Sequence, residues 1–177
     1  LLHNFVVERA AFTGKEIGIL QSIREIPGFL AFTAVFVLLL IREQVFAYIS
    51  LAVLGIGVAL SGYFPSEAGL YLTTFVMSVG FHYYETVKQS LSLQWLSIEE
   101  APAALGKLIA VSSAASLVVY SFLWLSERYC SLSYETIYWV GGGSCLLLSL
   151  LMWLSFPTFK SVIPQRKHLL LRKRYWL

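Results

Sequence analysis

The sequence contains no aspartate; all ten of its acidic residues are glutamate. No two of these are spaced as a pair for general acid–base catalysis. Cysteine is nearly absent too, with Cys130 and Cys145 alone. The hydropathy pattern puts Cys130 in a polar loop and Cys145 within an apolar helix, so neither a disulfide nor a thiolate metal site is expected. The histidines His3, His82 and His168 are too scattered for a ligand cluster, and no metal or cofactor is expected. Charge is scarce: 13% of residues carry it, against about 25% in a soluble domain. No basic leader precedes an apolar run, so no signal peptide is read. The chain opens Leu1-Leu2-His3-Asn4 without methionine, as a fragment is expected to. At the other end, Tyr175-Trp176-Leu177 reads as the aromatic belt opening a further span.

What is present is apolar. Such residues make up 58% of the chain, mean hydropathy is +0.72, and they fall in long blocks rather than amphipathic stripes. The expected class is an all-α integral membrane protein, a polytopic helix bundle. The blocks predict the end of one span at Leu1–Arg9 and five complete ones: Ile17–Ile41, Val45–Tyr63, Gly69–Leu96, Glu99–Leu125 and Thr136–Phe156. Phe12-Thr13-Gly14, Arg42-Glu43-Gln44, Phe64-Pro65-Ser66-Glu67 and the polar stretch Glu127–Tyr134 are the expected turns. Pro102 suits the first turn of its helix, where its missing N–H costs nothing.

Lys160, Arg166, Lys167, Arg172, Lys173, Arg174, Arg42 and Lys107 fall on one side of this topology, and Arg9, Lys15 and Arg128 on the other. The basic side is expected to be cytoplasmic, in a multi-pass protein of a bacterial inner membrane. A basic tail between two spans suits lipid-surface charge, and no nucleic-acid partner is expected.

The third and sixth spans hold no charge between their turns, nor does the fifth beyond its cytoplasmic entry at Lys107. The third is rich in small residues: Gly55, Gly57, Ala59, Ser61 and Gly62. The fifth sets Gly106, Ala110 and Ala114 four apart, a face suited to close helix contact. Gly141-Gly142-Gly143-Ser144 in the sixth lacks a following lysine and a preceding strand, so it is read as packing rather than as a phosphate loop.

Polar groups inside spans cluster elsewhere. In the fourth, Ser78, His82, Glu85 and Gln89 are spaced by four, three and four, on one helical face, with Tyr83, Tyr84 and Lys88 beside them. A bilayer-crossing helix must turn such groups toward protein or water. His82 and Glu85, three apart, are placed to hydrogen-bond and share a proton; Lys88, near the inner boundary, suits snorkelling to the headgroups. In the first stub Asn4 and Glu8 lie one turn apart. In the second, Arg24-Glu25 precedes Pro27-Gly28. Arg24 sits about 10 Å below the outer surface, so a partner is expected; Glu25 points about 100° away, which leaves Glu8 as the better candidate. Pro27 and Gly28 predict a kink just inward of Arg24.

This arrangement resembles the N-terminal half of a major facilitator superfamily transporter, over the whole chain. In that family the first and fourth spans line a central cavity, the third and sixth are scaffold, and a basic cytoplasmic segment joins two six-span halves. The stretch Glu99-Glu100-Ala101-Pro102-Ala103-Ala104-Leu105-Gly106-Lys107-Leu108 looks like the family's approach to its fifth span. Departures are Leu40-Ile41-Arg42-Glu43-Gln44-Val45, which lacks the Gly and Asp of the usual signature between the second and third spans, and the absence of the antiporters' Gly-Pro pattern in the fifth. They suggest a divergent branch. The resemblance implies that residues 1–157 are the N-terminal bundle and 158–177 the linker into a seventh span, with the C-terminal half of the same transporter, the lipid bilayer and a small solute as partners.

Three functions stay open. A secondary carrier, with possible proton symport along Asn4, Glu8, Arg24, Glu25, Ser78, His82, Tyr83, Glu85 and Gln89, places its substrate near the bilayer midplane. An intramembrane enzyme is disfavoured, since Ser78 and His82 share one helix that frees no oxyanion donors. A sensor or subunit without transport would use the same polar residues for helix assembly.

Overall fold

The computed structural model describes residues 1–130 and 132–158. The helices are α1 (Leu2–Ala10), α2 (Gly14–Phe29), α3 (Ala34–Leu40), α4 (Glu43–Ser61), α5 (Glu67–Trp95), α6 (Ala101–Cys130) and α7 (Tyr134–Ser155), with a 3-10 turn, Leu30–Thr33, between α2 and α3. No strand occurs among the described residues, so the fold is all-α. The basic stretch Lys160–Arg174 lies outside them.

Local chemistry sets the boundaries. α1 stops where Ala11 turns left-handed (φ 53°) and the Phe12 N–H reaches back to the Val6 carbonyl at 3.1 Å. Thr13 then starts α2 through a capping box with Glu16. Pro27 removes the N–H that the Ile23 carbonyl needs in a regular helix. α2 nonetheless runs on through Pro27 to Phe29, and the 3-10 turn follows at Leu30. Ser66 and Ser133 cap α5 and α7, accepting from the Gly69 and Thr136 N–H groups at 3.2 Å.

Two turns are shorter than expected. Glu43 already belongs to α4, and α6 runs on to Cys130, which is thus a helix end rather than a loop residue. Ser126-Glu127-Arg128-Tyr129 is polar, but it holds neither Gly nor Pro, and polarity alone does not stop a helix.

α4 is the hub, held between α5 and α7 by missing side chains. A Cβ on Gly80 would collide with the α4 backbone at Leu54 and Ser50, and one on Gly142 with Gly55 and Ala59. The small residues of the third and sixth predicted spans therefore do meet, backbone to backbone. The stripe on α6 does not. Gly106 has nothing within 4 Å of where its Cβ would stand, and Ala110 and Ala114 are exposed.

Two buried clusters mark the ends of the bundle. Phe5, Val6, Phe12, Leu20, Leu70 and Tyr138 form one, and Ala34, Phe46, Ala47, Val87 and Leu91 the other. Many large apolar side chains face outward, among them Leu117, Val118, Phe122, Leu150 and Leu154. Among the described residues four helices are long and apolar enough to cross a membrane: Gly14–Leu40 taken through its 3-10 turn, α4, α6 and α7. α5 is long enough, about 43 Å by helical rise, but its polar stripe keeps it out of that set.

Candidate functional site

The polar face of α5 meets the last turns of α2 and the 3-10 turn after it. Ser78 is buried, and its hydroxyl donates to the main-chain carbonyl of Arg24, three residues before Pro27. One turn along α5, the His82 ring lies against Gly28; a Cβ there would stand 2.8 Å from Cε1 and 3.0 Å from Nε2. Next to it the Tyr83 hydroxyl and Thr33 Oγ1, at the end of the 3-10 turn, are hydrogen-bonded at 2.5 Å. Three consecutive steps of one helix thus hold the weakened stretch of another, from Arg24 to Thr33.

Beyond that grip the face opens. Glu85 is ion-paired with Lys88, both partly exposed, and the Lys88 ammonium lies 5.8 Å from the Tyr84 ring centre. The Glu85 carboxylate is therefore engaged one turn on, rather than with His82 as the spacing suggested. The reason is charge: an ammonium three residues away is a strong partner for a carboxylate. Gln89 is exposed, as are the side chains of Arg24 and Glu25.

Arg24 is not paired with Glu8. The Glu8 carboxylate accepts from the Tyr134 hydroxyl at 2.9 Å, and the Arg9 guanidinium lies 6.0 Å from the Tyr134 ring centre. α1 turns Phe5 and Val6 to the core, which carries Asn4 and Glu8 round toward α6 and α7. There they line a cleft of about 130 Å³ with Leu123, Tyr134 and Ile137. A polar contact between α1 and α2 is His3 with Gln21, at 2.7 Å. The expected pathway residues thus separate into an α2–α5 group (Arg24, Glu25, Ser78, His82, Tyr83, Glu85, Gln89) and an α1–α6–α7 group (Asn4, Glu8).

Glu43 was missed by the sequence reading, which assigned it to a turn. It is 7% exposed, and its carboxylate accepts from Ser90 Oγ at 3.2 Å and from Gln94 Nε2, both on α5. Its position at the start of α4 was a weak signal, since acidic groups suit a helix N-terminus. Among the described residues no three His, Cys or Glu side chains gather as a metal site.

Comparison with family models, with curated proteins and with solved structures returns no match.

Proposed function

We propose that the chain is a multi-pass membrane protein and one half of a secondary carrier, built like the N-terminal half of a major facilitator superfamily transporter and moving a small solute by alternating access. The observation that carries this reading is the contact between the α5 stripe and the Pro27-containing end of α2. Ionisable groups inside an apolar bundle are costly and mark ion or solute paths. Here His82 lies against a helix already weakened by Pro27, so a change at its ring has a movable element beside it.

Arg24, Glu25, Glu85 and Gln89 form the open, solute-facing part of that wall, and His82 with Glu85 carries the coupled proton. Glu85 releases Lys88 when it takes that proton, since a neutral carboxyl no longer holds an ammonium. The end bearing Arg42 and Pro157 faces the cytoplasm of a bacterial inner membrane.

The test is solute-driven proton movement in vesicles holding the protein with the second half this reading requires. Sugars, organic acids, amines and peptides are offered in turn against a pH-sensitive dye. One class is expected to move protons, and H82A and E85Q to abolish the signal while still inserting. Wild-type coupling in both variants sinks the proton role.

The buried hydroxyl of Ser78 favours a second reading, a sensor or subunit without transport, because that group is spent on helix assembly. In that case H82A lowers stability and no solute moves protons in the wild type.

A further inference from the structure

The first turn of α4 and the last turn of α7 lie side by side, tied by the Gln44 side-chain amide donating to the Pro157 carbonyl at 2.9 Å. Between them is a cleft of about 180 Å³, walled by Tyr48, Trp153 and Phe156, with Arg42 at its rim. A second cleft of about 100 Å³ shares Gln44, Tyr48 and Phe156 and continues toward Trp95 on α5. Trp153 and Phe156 are exposed, Tyr48 is buried, and the Tyr48 and Trp153 rings lie 6.5 Å apart. The groove thus has aromatic walls, polar groups at Gln44 and Thr158, and the Arg42 cation in its lining.

That cation is uncommitted. The Arg42 side chain is exposed and makes no ion pair or hydrogen bond among the described residues. Its neighbour Glu43 does not neutralise it, being buried against Ser90 and Gln94. Lys88, on the wall of the second cleft, is held by Glu85.

We infer that this groove binds one anionic phospholipid, its phosphate on the Arg42 guanidinium and an acyl chain along Tyr48, Trp153 and Phe156. Guanidinium binds phosphate oxygens in a two-pronged fashion, and aromatic rings at a helix end suit the level of the headgroups. A free phosphate would use Arg42 but gain nothing from the aromatic walls. A zwitterionic lipid would bring a second cation beside Arg42. The inference rests on the membrane reading above but not on transport.

Alkaline carbonate washing of membranes comes first, since release of the protein would remove the membrane reading itself. The protein purified in mild detergent is then offered phosphatidylglycerol and phosphatidylcholine with identical chains, and bound lipid is counted by native mass spectrometry. Phosphatidylglycerol is expected to be retained preferentially. R42Q should reduce that preference about fivefold, the worth of one basic residue at a lipid surface. R42K should keep most of it, and K107Q, which removes an exposed cation on α6, all of it. Circular dichroism of R42Q confirms folding. Equal retention of the two lipids overturns the inference, as does an unchanged preference in R42Q. So does displacement by inorganic phosphate, which would mark a site for the free anion.

Discussion

The imidazole of His82 occupies the space that a side chain at residue 28 would fill: a Cβ on Gly28 would stand 2.8 Å from His82 Cε1 and 3.1 Å from Nδ1. Two effects oppose each other in Gly28→Ala. Replacing glycine inside a helix stabilises by about 1 kcal/mol, while crowding the ring costs a similar amount, since its far edge can swing aside. Thermal stability is therefore expected to change by less than about 1 kcal/mol, but His82 should move. Imidazole NMR resonances are the measurement. Resonances identical to wild type would mean that the contact does not exist.

Ser78 is the second point of the grip, and its hydroxyl donates to the Arg24 carbonyl across fifty-four residues of sequence. Ser78→Ala is expected to cost about 0.6–1.7 kcal/mol, the range for interhelical hydrogen bonds in membrane bundles. Ser116, whose hydroxyl returns to the Ser112 carbonyl of its own helix at 2.9 Å, provides the contrast. Ser116→Ala should stay within about 0.5 kcal/mol. Unfolding in mixed detergent separates the two, and equal losses would argue against a specific contact between α2 and α5.

Gly142 and Gly143 are adjacent in sequence but opposite in consequence. A methyl group at 142 meets the Gly55 carbonyl and the Ala59 backbone, neither of which can give way; at 143 nothing lies within 4 Å. Gly142→Ala is expected to cost more than about 3 kcal/mol by forcing α4 and α7 apart. Gly143→Ala should be neutral, or gain up to about 1 kcal/mol from helix propensity. The same unfolding assay decides, and tolerance of both would disprove the close approach of these helices.

The two thiols test the topology. Cys130 ends α6 and is exposed, while Cys145 sits inside α7 and is half-buried. In intact cells a membrane-impermeant maleimide is expected to label Cys130 and leave Cys145 unmodified. Labelling of Cys130 only after the cells are opened would reverse the proposed orientation.

How much of this was legible follows from what periodicity can and cannot report. Apolar blocks located the helices, because turn residues such as Thr13 and a stop such as Pro157 act on their own neighbours. Spacing placed Ser78 and His82 on one face. It did not say which helix that face meets, and this is why Glu8 was assigned to Arg24 when it belongs to Tyr134. The apolar blocks marked α6 as a span with a packing stripe, but a stripe of small residues reports only that a neighbour can fit. The proton-sharing pair His82–Glu85 was a spacing argument too, and Lys88 outcompetes the imidazole for the carboxylate. Glu43 was invisible for a related reason: its partners Ser90 and Gln94 are forty-seven and fifty-one residues away and carry no charge.

Glu43 gives the remaining expectation. Its carboxylate is the acceptor for two donors of α5 at the end of the bundle opposite the Phe5–Tyr138 core. Removing it with Glu43→Ala leaves the Ser90 hydroxyl and the Gln94 amide without their partner, at about 1–3 kcal/mol for each group that stays buried. Glu43→Gln keeps a carbonyl oxygen for one donor, and the Gln94 amide can rotate to offer its own oxygen to the new NH₂ group. The loss in Glu43→Gln should therefore be less than half that in Glu43→Ala. Chemical denaturation of the three proteins in one detergent makes the comparison. If Gln and Ala are equally damaging, what matters is the negative charge of Glu43 and not its capacity to accept hydrogen bonds.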